Sequence, residues 1–140
     1  MINQLIKHRQ KLLLISIGIV YLWFGTLKLF PGLSPAEELA KATLDKITFG
    51  LVPTNITYFI LALWEIIIGV CMLLNFRRKD VLVLTMVHLV FTFTPLFLLP
   101  EASFNQHFSS LTLIGQYIIK NLVFLAALLF LMEEKKTNNP

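Results

Sequence analysis

The stretch "ITYFILALWEIIIGVCMLLNF", Ile56–Phe76, contains a single charged residue, Glu65, in a run of about 20 residues. At a rise of 1.5 Å per residue, an α-helix of this length spans about 30 Å, the thickness of the hydrocarbon core of a bilayer. The run is therefore typical of a membrane-crossing helix. A carboxylate inside such a helix is costly, so Glu65 is a candidate functional residue.

Three other runs share this character. The four predicted spans are residues 12–30, 56–76, 81–99 and 111–132. The composition agrees, with 56% hydrophobic residues, 14% charged residues and a mean hydropathy of +0.76, whereas soluble domains carry about a quarter charged residues. We predict one all-α domain over residues 1–140, folded as a four-transmembrane-helix bundle. The first span is too long for a cleaved signal and is predicted to be retained.

The positive charge lies at particular ends of the predicted spans. The net charge is +4, and the clustered basic residues are Lys7, Arg9, Lys11, Arg77, Arg78, Lys79, Lys135 and Lys136. They precede the first span, join the second to the third, and follow the fourth. By the positive-inside rule, both termini are predicted to be cytoplasmic, and the other two connections to face outward. Contact with anionic lipid explains the charge better than nucleic-acid binding.

The first outward connection contains the segment "SPAEELAKATLDKITFG", residues 34–50. Ser34 is a preferred N-cap, Pro35 suits the first helical position and Glu37 can complete a capping box. Gly50 ends the pattern. The residues that recur at helical spacing are Leu39, Ala42, Leu44 or Thr43, and Ile47. We predict a short amphipathic helix over residues 35–49 that lies on the outer membrane face or caps the bundle.

The third predicted span contains a proline near its outer end. Pro95 has no N–H and is expected to kink the helix there. The hydroxyls of Thr92 and Thr94 can satisfy the backbone groups that the kink frees.

Small and polar residues recur at spacings of three or four within each span, which places them on one helix face. Such faces are expected to point inward, where small residues allow close packing and polar ones find partners. The residues are Gly18, Tyr21, Gly25 and Lys28; Ala62, Glu65 and Gly69; Thr85, His88, Thr92 and Pro95; and Gln116, Lys120 and Ala127, with Asn121 adjacent. Tyr21 itself is interpreted as a packing residue or an interfacial anchor.

Depth brings several of these residues together. Glu65 and Lys120 are both expected about 13 Å below the outer boundary, and Lys28 about 6 Å below it. His88 is expected near mid-membrane. The candidate intramembrane site is Lys28, Glu65, His88, Gln116, Lys120 and Asn121.

Two interpretations of this site stay open. In the first, a Glu65–Lys120 ion pair only fixes helix packing, and Lys28 extends to the interface. In the second, two amines against one acid leave an excess positive charge. Loss of a proton, or a carbonyl-bearing or anionic ligand such as a quinone headgroup, would compensate that charge.

Other chemistries lack their residues in this sequence. Paired intramembrane histidines for haem, metal-ligand clusters, a nucleophile elbow and glycine-rich phosphate loops are all missing. The single cysteine, Cys71, can form no disulfide within the chain. We therefore expect no metal site and no covalently attached cofactor. Whether the chain is an enzyme stays open.

Three segments carry a family resemblance. "SIGIVYLWFGTLKLFPG", "LALWEIIIGVCMLL" and "GQYIIKNLVFLAALLFL" resemble, in order, the first, second and last helices of the DoxX family. That family comprises small four-helix inner-membrane proteins of bacteria and archaea, named after a subunit associated with thiosulfate:quinone oxidoreductase. The resemblance implies that Lys28, Glu65, Lys120 and Asn121 occupy the family's polar positions. His88 is carried over on a looser third-helix pattern.

Three functions remain under consideration. The first is a membrane subunit of a redox-linked, quinone-associated complex in the bacterial inner membrane. There Lys28 and Lys120 would hold a carbonyl or oxyanion, while Glu65 and His88 would pass protons. The second is a non-catalytic accessory or scaffold subunit of a larger membrane complex. The third is a small-molecule or proton-linked carrier, for which four spans are few unless the chain forms a homo-oligomer.

Overall fold

The fold is a helical bundle, described by a computed structural model over residues 2–105 and 110–132. Its helices are α1 Ile2–Leu27, α2 Glu37–Ile47, α3 Thr54–Leu73, α4 Arg78–Phe91, α5 Pro95–Leu98, α6 Pro100–Ser103 and α7 Leu113–Met132. Within those residues four segments are long and apolar enough to cross a membrane. The predicted all-α four-span architecture is confirmed. Lys135 and Lys136, used to predict topology, lie outside the described residues.

The spans end close to their predicted limits, with one informative difference. The first extends to Leu27 rather than to residue 30. Beyond it the chain tightens, because Leu29 N–H donates to Thr26 O and Phe30 N–H to Leu27 O at 3.1 and 3.2 Å. These bonds join residues three apart, which is the pattern of a closing 3₁₀ turn. Lys28 therefore projects from the end of the helix rather than from its regular body.

The predicted kink in the third span is confirmed. Helix α4 ends at Phe91, and α5 starts at Pro95 after one turn. Thr94 Oγ1 donates to Phe91 O at 2.7 Å, and Thr92 Oγ1 donates to Leu89 O at 2.6 Å. Phe91 O is the carbonyl that an ordinary residue at position 95 would have bonded, so the threonine hydroxyl replaces the missing N–H.

Helices α1 and α3 form the most extensive helix contact of the bundle. Glycines permit it. A Cβ added at Gly69 would lie 2.6 Å from Leu22 N and 2.9 Å from Gly18 O, and one added at Gly25 would lie 2.9 Å from Ile66 N. The two backbones therefore touch over several turns, which is the close approach that small residues allow in membranes. This confirms the predicted inward direction of these glycines.

Helix α2 caps the end of the bundle opposite the α3–α4 turn. It packs against α3 and α5, and Lys46 Nζ donates to Leu98 O at 2.7 Å. Of the two predicted placements, capping the bundle is the one observed.

The start of α2 differs from the prediction. The helix begins at Glu37 after Ala36, which makes no side-chain cap bond, so Ser34 is not the N-cap. Glu37 forms no capping box. Instead, its Oε2 accepts a hydrogen bond from Gly32 N–H at 2.8 Å, because the left-handed backbone of Gly32 (φ +76) turns the chain back on itself.

The predicted inner face of α2 is only partly the face that packs on the bundle. Leu39 and Leu44 are half-buried and Thr43 is buried, whereas Ala42 and Ile47 are exposed and Glu37 is buried instead. Glu37 is buried because Lys41 and Gly32 N–H bond to its carboxylate, and a polar side chain that is hydrogen-bonded can be buried at little cost.

The apolar core lies toward the other end of the bundle. Its buried members are Leu14, Ile17, Tyr21, Ile68, Met72, Val81, Leu82, Leu89, Leu128 and Leu131. Helices α1, α3, α4 and α7 all contribute. The polar groups described next lie between this core and α2.

Candidate functional site

Glu65 is the centre of a buried polar cluster. Glu65 is 7% exposed, and its carboxylate is in contact with side chains from two other helical segments. Lys28 Nζ lies 2.6 Å from Glu65 Oε2, and His88 Nε2 lies 3.3 Å from Glu65 Oε1. The three side chains are each 9–10% exposed. The end of α1, the middle of α3 and the last turn of α4 thus supply one residue each.

The cluster continues from His88 to Tyr21. Tyr21 Oη and His88 Nδ1 are 3.0 Å apart, and the two rings meet edge-on with centroids 5.5 Å apart. Because His88 Nε2 faces a carboxylate, the proton of a neutral imidazole is best placed on Nε2. Nδ1 then accepts the hydrogen bond that the Tyr21 hydroxyl donates. We call Lys28, Glu65, His88 and Tyr21 the Glu65 cluster.

The Glu65 cluster can be electrically neutral without a ligand. With Lys28 and Glu65 ionised and His88 neutral, the charges sum to zero. The expected excess of positive charge is therefore wrong for this arrangement, because it assumed that Lys120 was also present. A buried pair of this kind is costly to break, since the remaining charge would have no partner in a medium of low dielectric constant.

Lys120 lies elsewhere. It is exposed on α7, and its Nζ is 5.2 Å from the centre of the Tyr117 ring. Helix α7 buries Ile118, and a residue two positions further along an α-helix projects about 160° away. The predicted Glu65–Lys120 pair is therefore wrong, and so is the prediction that Lys28 extends to the interface.

The other two candidate residues are also outside the Glu65 cluster. Gln116 is exposed on α7. Asn121 is half-buried, and its Nδ2 donates to Thr92 Oγ1 at 2.9 Å, which joins α7 to the kink of α4. Thr92 is one helical turn beyond His88, so Asn121 neighbours the Glu65 cluster without touching Glu65 itself.

Tyr21 is the member of the cluster that the sequence interpretation missed. It was assigned to packing, and it does lie in the core at 6% exposure. Its spacing of seven residues from Lys28 was the available signal, because residues seven apart share a helix face.

A second polar group lies outside the spans, on α2. Lys41 Nζ is 2.6 Å from Glu37 Oε1. The hydrogen bonds from Lys41 and from Gly32 N–H hold the pKa of Glu37 below its ordinary value. The hydrogen bond to the Glu37 carboxylate raises the pKa of Lys41. The Lys41 ammonium also lies 5.3 Å from the centre of the Tyr58 ring, which connects α2 to α3.

Within the described residues, the Glu65 cluster is not part of a metal-binding set, and it does not line the groove on the surface of the bundle. Across residues 2–105 and 110–132, no three His, Cys, Asp or Glu side chains form a set that could hold a metal ion. A groove of about 360 Å³ follows α4 and is lined by apolar side chains: Val83, Met86, Val87, Val90, Phe91 and Met132. It suits an acyl chain better than a polar headgroup.

Comparison with models of known families, with curated proteins and with solved structures finds no match. The geometry therefore carries the functional conclusion. The chain is a multi-pass membrane protein in which one acid, one amine, one imidazole and one phenol are in contact among the spans.

Proposed function

We propose that the chain is a membrane subunit of a redox-linked, quinone-associated complex in which the Glu65 cluster passes protons. The observation that carries the proposal is the position of Glu65 between Lys28 and His88 at the centre of the spans. Ionisable groups at this depth are expensive and are usually retained for transport, proton relay or ligand binding.

The order of the contacts supports proton transfer. Tyr21, His88, Glu65 and Lys28 form an unbroken series with separations of 3.0, 3.3 and 2.6 Å. Each separation is close to the heavy-atom distance over which protons move between side chains. Histidine and glutamate can each accept a proton and release it again, so the series can relay one without any large movement.

The chemistry of a quinone fits the same groups. Its carbonyl oxygens accept hydrogen bonds, and its reduction to a quinol consumes protons as well as electrons. Lys28 is an ammonium donor at the end of α1, next to the Glu65 carboxylate, which can accept a proton. The DoxX resemblance adds the link to a quinone-dependent oxidoreductase and the bacterial inner membrane, and the positive-inside rule adds the cytoplasmic termini. Electrons would come from a partner protein.

The test is purification of the full chain from native membranes in mild detergent, followed by mass spectrometry of co-eluting lipids and proteins. We expect a quinone and a redox enzyme to co-elute with the wild type. Glu65→Gln should reduce the bound quinone, whereas the matched variant Glu38→Gln, which changes an exposed carboxylate on α2, should not. Equal quinone in all three preparations, or none in the wild type, contradicts the proposal.

A second candidate function is that of a non-catalytic scaffold subunit. The charge balance of the Glu65 cluster favours this function, because a neutral set of mutually bonded side chains needs no ligand and can fix helix packing by itself. Exposed polar residues on α7, Gln116 and Lys120, would then face another subunit or a second copy of the chain. A stoichiometric partner that still co-elutes with the double variant Lys28→Met/Glu65→Leu, without quinone, supports this function instead.

A further inference from the structure

Tyr58 is buried two helical turns from Glu65 on the same face of α3. The residue is 5% exposed, and no described group makes a hydrogen bond to its hydroxyl. The hydroxyl of Ser34 lies nearby but outside hydrogen-bond geometry. A buried hydroxyl without a partner is unfavourable, and in folded proteins such groups usually bind an ordered water. Tyr58 therefore has an unused donor and an unused acceptor.

Polar residues at the start of α2 lie at this end of the bundle. Ser34, just before α2, and Glu37, its first residue, are both buried. Lys41 Nζ lies 5.3 Å from the centre of the Tyr58 ring and is paired with Glu37. Tyr58 thus contacts the Glu37–Lys41 pair on α2 and lies on the same face of α3 as Glu65.

One small residue separates Tyr58 from Glu65 on this face of α3. Tyr58 and Glu65 are about 10 Å apart along the α3 axis, and both side chains lean toward the start of α3, the end that α2 covers. Lys28 approaches Glu65 from the same end. Ala62, the residue between Tyr58 and Glu65 on this face, has only a methyl group and is fully buried.

The opposite end of the bundle is apolar. Below Glu65 on α3 come Ile68 and Met72, at 3% and 2% exposure, packed with Leu82 and Leu128 at 1% and 0%. These side chains offer no hydrogen bond to a proton carrier. The Glu65 cluster therefore has polar neighbours toward α2 and a closed hydrocarbon core toward the α3–α4 turn.

We propose that the Tyr58 hydroxyl binds water and connects the Glu65 cluster to the Glu37–Lys41 pair on α2, so that protons exchange only with the membrane face that carries α2. A proton arriving by this route neutralises the Glu65 carboxylate and leaves Lys28 charged; the reverse transfer restores the ion pair. This inference rests on the proposed function and deepens it, because it states which membrane face exchanges protons with Glu65. The route does not depend on quinone, so the two can fail separately.

Thiol labelling tests the side of access. In a Cys71→Ser background, Ala62→Cys and Ile68→Cys place a thiol above and below Glu65, each about 60° from it around the α3 axis. Both variants are reconstituted in vesicles of known orientation and treated with a small membrane-impermeant thiosulfonate. From the α2 side, Ala62→Cys should react about tenfold faster than Ile68→Cys, because thiol reactivity follows water access. From the opposite side neither should react. Equal rates, or labelling of Ala62→Cys from the opposite side, overturn the proposal.

The hydroxyl itself is tested by adding Tyr58→Phe to the Ala62→Cys variant. Phenylalanine keeps the ring and removes the group that holds the water, so the labelling rate should fall several-fold. Tyr117→Phe, which changes an exposed tyrosine on α7, should leave the rate unchanged. An unaltered rate in the Tyr58→Phe variant overturns the role of the hydroxyl.

A measurement on the unaltered chain covers the case in which Ala62→Cys does not fold. Water-edited solid-state NMR in bilayers reports how quickly magnetisation passes from water to each residue. The signals of Tyr58 and Ala62 should build up several-fold faster than those of Ile68 and Met72. Equal build-up at the two ends of α3 overturns the proposal. Co-eluting quinone has no influence on this result.

Discussion

Glu65 on α3 and Lys120 on α7 start from the same kind of sequence signal and end in opposite environments. Each is a charged residue in an apolar run, at a similar predicted depth. Glu65 is 7% exposed and bonded to Lys28, whereas Lys120 is exposed and lies against the Tyr117 ring. A charge within a span therefore does not identify an interior site by itself. The neighbours of each helix decide that.

The difference follows from how the two helices pack. Along α3, glycines allow backbone contact with α1, and that contact brings Lys28 to Glu65. Along α7, the tight glycine is Gly115, whose Cβ position is occupied by Ser103 O near the start of the helix. The rest of α7 packs through larger side chains on one side. In the span formed by α7, 17% of the residues are buried, against 33% in the span formed by α3.

The largest effect on the contrast between Glu65 and Lys120 is expected when the Glu65 carboxylate is removed. Glu65→Ala leaves Lys28 charged and unpartnered among the spans, so we expect a loss of about 3–5 kcal/mol in the free energy of unfolding. Unfolding by denaturing detergent in mixed micelles measures it. The double variant Lys28→Met/Glu65→Leu should recover most of the loss. A loss of less than about 1 kcal/mol for Glu65→Ala would mean that Lys28 reaches water without it.

The glycine contact provides the next test. In Gly69→Ala the new methyl would lie 2.6 Å from Leu22 N, a backbone atom that cannot turn aside. Separation of α1 from α3 should cost about 1–3 kcal/mol of stability. Ala126→Leu on the exposed side of α7 is the matched control and should have little effect. If the two variants are equally stable, the close approach is not what holds α1 on α3.

Removing the Tyr21 hydroxyl should have a smaller effect. Tyr21→Phe keeps the buried ring but leaves His88 Nδ1 without its donor, which should cost about 1 kcal/mol. Nitrogen NMR of the imidazole should also change, because the tautomer is no longer held from both sides. Tyr117→Phe, on the exposed face of α7, should change neither quantity. An unchanged His88 spectrum in Tyr21→Phe contradicts the hydrogen bond.

The Glu37–Lys41 pair predicts a modest dependence of stability on pH. The pKa of Glu37 is lower in the folded chain than in the unfolded chain. Its contribution is therefore complete above the unfolded value and is lost as the pH falls through the folded one. For Lys41 the pKa is raised, so its contribution is lost as the pH rises through that folded value. Unfolding curves of wild type and Glu37→Gln should converge in acid. A stability difference that does not change with pH contradicts the ion pair.

The smallest effect is expected at Lys120. Lys120→Ala removes a side chain whose described contact is the Tyr117 ring, so the isolated chain should change by no more than about 0.5 kcal/mol. Detergent-induced unfolding of the monomer is the measurement. A loss several times larger would place this side of α7 against another subunit, and the contrast with Glu65 would then hold only for the single chain.

The sequence supplied part of the candidate site. Lys28, Glu65 and His88 could be selected because each interrupts an apolar run and lies on a face with small residues. Lys120 met the same criteria and is not in the cluster. Its exclusion depends on the rotation of α7 about its own axis, which is set by contacts with α4 and α6. Tyr21 lies on the same helix face as Lys28, but it has no charge and was therefore not selected as a site residue.

The amino-acid sequence by itself determined the number of spans, the kink at Pro95 and the inward direction of the glycines in α1 and α3. These features follow from the cost of exposing apolar side chains and unpaired backbone groups, which local composition already expresses. Tertiary structure alone decided that Glu65 pairs with Lys28 and that Glu37 at the start of α2 is buried. Those choices depend on which helices touch and at what rotation, and small differences among many side-chain contacts set both.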